Sequence, residues 1–300
     1  MKSVEVFELF DNTWQNTLPE KRVAQIKLVR KQIPSEHLEL FDGMLDAKLA
    51  GVTDSPNATV VLLIHGIQTD GAWHQLVQKE VGSLSHTNVI GLGYDVVSPL
   101  QLALPFRGTP VDKIKQDIRD AQRQERSAKF VVIAHSFGSY ILSRILPNAT
   151  DIQFEKIILC GCIIPINFQW GLYTRGMTPK SVINDVGTKD FYPVMATFTT
   201  VGYGSSGRKG FQNPHVKDRY FDYGHSDFFE PKYKHIETYW KPFIENGSII
   251  ESDWDQNKPK THLGILMLCH PWIGRPVFYG VVGLIAATVV FGTVAILQLL

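Results

Sequence analysis

Hydrophobic positions along the chain fall into two rhythms. In the first, short unbroken apolar runs sit between polar segments: Thr59 to Ile64, Asn88 to Leu92, Phe130 to Ala134, Lys156 to Cys160 and the stretch opening at Val182-Ile183. Runs of this length, rich in β-branched residues and without an alternating polar face, predict strands of a parallel sheet buried on both sides. Arg219 to Tyr223 alternates instead and reads as the last strand.

The second rhythm is helical. Val111, Ile114, Ile118 and Ala121 recur on one face, as do Tyr140, Ile141 and Ile145, and residues Gly71 to Leu84 and Tyr233 to Ile244 read as further helices. Near the start, Val23, Ile26, Val29 and Ile33 run up to Pro34, while Leu38, Phe41, Leu45 and Leu49 run up to Gly51, predicting two short amphipathic helices. Strand, helix, strand repeated in this order predicts βαβ units rather than a sandwich.

One segment follows neither rhythm. From Val277 to Leu300 there is no charged residue, a span longer than the ~20 apolar residues that cross a bilayer. A C-terminal transmembrane helix is expected, the alternative being a helix buried in the core. Lys258, Lys260 and Arg275 precede it and nothing basic follows, which by the positive-inside tendency leaves the larger part in the cytoplasm. The expected division is a helical segment over 1–57, an α/β domain over 58–245, a linker over 246–276 and the anchor over 277–300.

Composition narrows the classes. With 30 basic and 29 acidic residues, and no basic cluster interleaved with aromatics, nothing favours a nucleic-acid partner. Cys160 and Cys162 bracket Gly161 at the end of an apolar run, and Cys269 stands alone. That is poor metal spacing, and buried apolar thiols in a reducing compartment are expected. The start, Met1-Lys2-Ser3-Val4-Glu5, has no signal-peptide core, so secretion is not expected. Thr200 to Gly210 contains Gly-x-Gly-x-x-Gly, but no helix follows and Arg208 stands where a phosphate-binding lysine is needed, so a flexible turn is predicted.

The chemistry-bearing stretch is Phe130-Val131-Val132-Ile133-Ala134-His135-Ser136-Phe137-Gly138. A buried strand here turns into a helix within a few residues. Ser136 lands on the corner, and Ala134 and Gly138 keep the turn clear of Cβ clashes. The helix start aims backbone N–H groups at any anion formed beside the hydroxyl. This small-x-Ser-x-Gly pattern resembles the nucleophile elbow of the α/β-hydrolase superfamily, with Ala134 in place of the usual first glycine. Three further matches keep the superfamily's order. The first strand runs into His65-Gly66-Ile67-Gln68, similar to the loop that supplies half of an oxyanion hole. Asp190 follows the Val182 strand, and Gly224-His225 follows the last one.

The resemblance spans residues 59 to 244. It implies an α/β-hydrolase-like, mostly parallel sheet flanked by helices, and a serine hydrolase acting on small-molecule esters or lipids. Ser136 would be the nucleophile, His225 the base and Asp190 its orienting carboxylate. Asp185 is the alternative acid, and His215 and His235 compete with His225. Backbone N–H groups of Ile67 and Phe137 would form the oxyanion hole, and no metal or organic cofactor is implied. Many members begin with a β-hairpin that this chain lacks. Residues 163–179, with Phe168, Trp170, Leu172, Tyr173 and Met177, form either a small cover over the site or a connection packed on the core.

Overall fold

The computed structural model describes residues 3–16, 22–50, 58–66, 72–93, 108–174, 181–253, 264, 267 and 270–299. The chain divides into two units, one comprising 1–56 with 120–128, the other 57–119 with 129–300.

Among the described residues of 1–56, three α-helices occur rather than two: Ser3–Asn16, Arg22–Arg30 and Leu38–Ala50. Val6 and Phe10, one helical turn apart on the unforeseen first helix, join Ile26, Val29, Ile33 and Phe41 in one apolar core. The Phe10 and Phe41 rings meet edge to face at 5.1 Å. Arg30 grips Asp42 through two bonds of 2.8 Å.

Among the described residues, the second unit is built on six strands: β1 Thr59–Ile64, β2 Thr87–Leu92, β3 Lys129–His135, β4 Lys156–Cys160, β5 Val182–Gly187 and β6 Lys217–Phe221. All pair in parallel, in the order β2-β1-β3-β4-β5-β6. That order changes direction between β1 and β3, and in open parallel sheets sites form outside the carboxyl ends of the strands near such a point. Val61, Leu63, Val131, Ile133, Ile158, Cys160 and Ile183 share one buried cluster with Trp73, Val77, Trp240 and Phe243. The intervening Val60, Leu62, Ile64, Val132, Ile157, Leu159 and Val182 are buried as well. Burial on both faces explains why these strands read as unbroken apolar runs.

Several sequence expectations change in detail. The Gly-rich stretch is packed rather than flexible: Gly204 N–H donates to the Ile163 carbonyl at 2.8 Å and Gly207 N–H to that of Cys162 at 2.7 Å. A Cβ on Gly204 would stand 2.3 Å from Pro165 Cα, so glycine there permits backbone to lie on backbone. Within 163–174, Ile164 and Trp170 are fully buried, and Trp170 meets Phe168 and Phe211 edge to face, which favours the packed connection; Met177 lies outside the described residues. The helix expected over 233–244 is a π-helical turn, Ile236–Trp240, followed by the α-helix Lys241–Asn246. At the far end, the helix Pro271–Leu299 includes a stretch, Trp272–Phe291, long and apolar enough to cross a membrane.

Candidate active site

Ser136 occupies the turn between β3 and the helix Phe137–Ile145 with φ 54° and ψ −121°. A positive φ is costly for a residue with a Cβ and persists only where surroundings impose it. Three contacts impose it here. Ser136 N–H donates to the Cys160 carbonyl at 3.2 Å, and Ser139 N–H and Oγ donate to the Ser136 carbonyl at 3.0 and 2.6 Å. Ser139 Oγ in turn accepts from Ile163 N–H at 3.0 Å, which ties the elbow to the segment after β4. Gly138 is required because a Cβ there would stand 2.2 Å from the Ile64 carbonyl oxygen.

Two loops at the same sheet edge complete the arrangement. After β5, Thr188 and Lys189 N–H groups donate to the Phe221 and Tyr223 carbonyls at 2.8 and 2.9 Å, and the chain turns to present the buried Asp190. After β6, Gly224 N–H donates to Asp227 Oδ2 at 2.8 Å, closing the turn that carries His225. His225 Nδ1 lies 2.8 Å from Asp190 Oδ2, and His225 Nε2 lies 2.9 Å from Ser136 Oγ. A carboxylate only accepts, so the proton sits on Nδ1 and Nε2 faces the hydroxyl as an acceptor. Asp190 Oδ1 accepts from Tyr192 N–H at 3.0 Å, so both carboxylate oxygens are engaged.

Four supports of the Ser136–His225 pair were not apparent from the sequence. The imidazole is stacked on Tyr192 at 4.5 Å between ring centres. It also needs Gly161, where φ is +54° and a Cβ would stand 2.8 Å from His225 Cε1. His135 Nε2 donates to the His225 carbonyl at 3.0 Å from a fully enclosed position between Trp73 and Phe229. Burial first, then the neighbouring His225, push the His135 pKa well below the ordinary value, keeping it neutral. Ser139 is the fourth. Of these only Gly161, a glycine inserted between two apolar cysteines, leaves a mark in sequence.

The competing residues lie elsewhere. Asp185 Oδ1 and Oδ2 receive Arg219 Nε and Nη2 at 2.7 and 2.9 Å, and Oδ2 also receives His235 Nε2 at 2.9 Å and Trp240 Nε1 at 2.7 Å. Burial works to raise the Asp185 pKa, but Arg219 and His235 outweigh it and hold the carboxyl below its usual range. His215 packs over Gly171, where a Cβ would stand 2.7 Å from its Nε2. His65, at the end of β1, places Nδ1 2.5 Å from the Gly66 carbonyl and its ring 5.5 Å from that of His74. Phe137 is buried in the first turn after the serine, whereas Ile67 and Gln68 lie outside the described residues. Burial raises the thiols of Cys160 and Cys162, the latter to about 11, which removes them as nucleophiles near neutrality.

A parallel sheet in this strand order, with a strained serine on the turn after β3, is the architecture that the sequence resemblance implies. The fold is α/β-hydrolase-like.

No protein-family model and no curated protein matches the sequence. Among solved structures, the chain is similar to a cutinase-like protein from Cryptococcus sp. at 10% identity and TM-score 0.40, over 66% of this chain and all of that one. It is also similar to a thermophilic esterase from Thermogutta terrifontis, at 15% identity and TM-score 0.41, over 71% of this chain and 89% of the other. A lipase-esterase related protein from Clostridium acetobutylicum overlaps at 13% identity and TM-score 0.40, over 61% and 93% of the two chains. Overlaps this shallow leave the assignment of chemistry to the side chains themselves.

Proposed function

We propose that the chain is a membrane-anchored serine hydrolase that cleaves carboxylic esters or lipids through an acyl-enzyme. The observation that carries this reading is the continuous hydrogen-bonded path Asp190–His225–Ser136, ending on a hydroxyl at a strained turn. In this mechanism His225 Nε2 takes the hydroxyl proton as Ser136 Oγ attacks the acyl carbon. Asp190 holds the imidazole in the Nδ1–H tautomer and stabilises the imidazolium that forms. The proton passes to the departing alkoxide, leaving an acyl ester on Ser136. Water, deprotonated by His225, then releases the carboxylic acid. Phe137 N–H at the helix start and Ile67 N–H after β1 would hold the tetrahedral oxyanion, each donor contributing about 3 kcal/mol to the transition state.

The anchor is the helix Pro271–Leu299, whose Leu284, Ile285, Val289, Val290 and Phe291 are all exposed. Such a surface is stable in lipid and costly in water. With Lys258 and Lys260 before it and Arg275 in its first turns, the catalytic unit would lie on the cytoplasmic side.

A fluorophosphonate probe on the full chain and on Ser136→Ala tests the nucleophile. Labelling confined to the unaltered chain is expected, together with a loss of short-chain ester hydrolysis of roughly 10³- to 10⁶-fold in the variant. Equal labelling of both chains removes Ser136 from the mechanism, whereas no labelling and no ester hydrolysis by the unaltered chain leave a non-catalytic, tail-anchored interaction protein.

A further inference from the structure

The helix Tyr192–Thr199 joins the candidate site to the apolar C-terminal helix. Its first turn is held by Asp190 Oδ1, which accepts from Tyr192 N–H, and by the stacking of Tyr192 on His225. Its last turn is held from the other side. Arg275 Nε donates to the Thr197 carbonyl at 3.3 Å, Arg275 Nη2 to that of Thr200 at 3.5 Å, and Tyr279 Oη to that of Thr199 at 3.4 Å. The rings of Phe198 and Phe278 meet at 5.4 Å. Carbonyls in the last turn of a helix lack intrahelical partners, and basic or hydroxyl side chains satisfy them. Eight residues at 1.5 Å each span only about 12 Å, so the imidazole lies roughly two helical turns from the apolar helix.

Apolar side chains stand exposed along this helix and just beyond both of its ends. Phe191 is 45% exposed, Tyr192 62%, Met195 41% and Val201 68%, while Pro193, Val194 and Thr197 are buried. Large apolar side chains exposed together along one short segment mark an interaction surface. The neighbouring helix identifies what meets it. Trp272, Arg275 and Tyr279 all fall in its first nine residues, and such side chains settle at the headgroup level of a bilayer. Residues 197–200 are fastened to Arg275 and Tyr279 at that same level.

Resting on the hydrolase and anchor reading above, we propose that Phe191, Met195 and Val201 form a second membrane contact, set into the headgroup–acyl boundary beside the anchor. The site then opens at the lipid surface, and its substrates are esters resident in the adjoining leaflet. A water-soluble ester reaches the same serine without using this face.

Depth-dependent quenching tests the contact without relying on catalysis. The full chain is placed in phosphatidylcholine vesicles in a Cys269→Ser background, since Cys160 and Cys162 are buried. A bimane label is carried in turn by Met195→Cys, Val201→Cys, Val289→Cys in the apolar helix, and Ser85→Cys on the exposed turn before β2. Nitroxide lipids labelled near the headgroup are expected to quench positions 195 and 201 at least about threefold more than position 85, and deep nitroxides to quench position 289. Quenching at 289 with equal, weak quenching at 195, 201 and 85 overturns the proposal while leaving the anchor. Absence of quenching at 289 overturns both. Self-quenching at 195 that vanishes on diluting protein in lipid assigns the face to a second copy of the chain instead, and overturns the lipid contact.

A kinetic arm addresses the substrate class. Met195→Glu and Val201→Glu are expected to lower turnover of a long-chain, bilayer-resident ester by about fivefold or more, while a soluble short-chain ester changes less than about twofold. Equal losses on both esters, or no loss on either, overturn the proposal. Hydrolysis that survives Ser136→Ala overturns the serine mechanism and leaves the quenching result intact.

Discussion

Two aspartate–histidine pairs are built on aspartates only five residues apart, and they differ in their surroundings. Asp190 meets His225 at 2.8 Å just beyond the end of β5, and the far nitrogen of that imidazole faces Ser136 Oγ. Asp185 meets His235 at 2.9 Å inside β5, but its oxygens are also taken by Arg219 and Trp240. Among the described residues, His235 Nδ1 has no hydrogen-bond partner. The pairs are alike in geometry and differ in what stands beyond the imidazole. Past the strand end, the ring has somewhere to pass a proton. Within the strand, the carboxylate staples β5 to β6 and to the π-helical turn, and all three ionisable side chains are fully enclosed. An Asp–His contact alone therefore carries no catalytic meaning; its position relative to the carboxyl edge of the sheet does.

Isosteric substitution separates the two most sharply. Asp190→Asn is expected to lower kcat by roughly 10⁴-fold, because the amide favours the wrong imidazole tautomer, with little change in urea midpoint. Asp185→Asn is expected to do the reverse. It leaves Arg219 buried without a counter-charge, at a cost of about 3–5 kcal/mol in urea unfolding, while the folded fraction keeps its kcat. Matching losses of activity and stability in both variants would erase the distinction.

Gly161→Ala probes the space shared by His225 and the His135 ring that supports it. The added Cβ overlaps the imidazole, which must shift away from Ser136, and a displacement of about 1 Å is worth roughly 10²-fold in kcat. Unchanged kcat would mean that the ring is not held where the contacts place it.

Buried neutral histidines give the fold an acid sensitivity. The His135 and His235 pKa values are lowered chiefly by burial, and that of His74 is lowered to about 4 by burial and then by His65. The unfolded chain binds these protons near pH 6.5 and the native chain does not, so stability is full above that pH and falls below it. For His135, whose shift is large, the slope below that pH approaches about 1.4 kcal/mol per pH unit, and His235 adds to it in the same direction. The Asp185 contribution has a different window, full above the ordinary carboxylate pKa and lost progressively as pH falls from there to its depressed value. Urea unfolding at pH 8, 6 and 5 measures this, and a flat profile across that interval would show that the histidines protonate in place.

The smallest expected effect concerns the elbow. Ser136→Gly removes a Cβ from a position with φ 54° and is expected to raise stability by about 0.5–1 kcal/mol while abolishing probe labelling, the sign of strain retained for position. A lower urea midpoint in this variant would argue that the turn is unstrained.

Much of this frame is legible in the linear pattern, because strands enclosed on both faces are apolar at nearly every position, with Asn184 and Asp185 of β5 as exceptions. Phe130 to Ala134 and Lys156 to Cys160 could be placed on that ground, and the serine at their turn with them. Ser3–Asn16 escaped, because its apolar residues Val4, Val6, Phe7, Leu9, Phe10 and Trp14 spread over more than half of the helix circumference, and that Val6 and Phe10 face inward shows only once Phe41 is seen across from them. His135 escaped for another reason: a histidine's role depends on what surrounds it, and its partner is a carbonyl 90 residues away.

The order of apolar runs and small residues by itself determined a parallel α/β sheet, a serine on a tight strand-to-helix turn, and an uncharged C-terminal helix, since each rests on local sterics and burial. Tertiary structure alone decided which aspartate is spent on Arg219 and which is left for His225. It alone decided, too, that Arg275 caps the helix beside the site. Those outcomes depend on the register of β5 against β6 and on a helix docking from the far end of the chain, distances that local pattern does not encode.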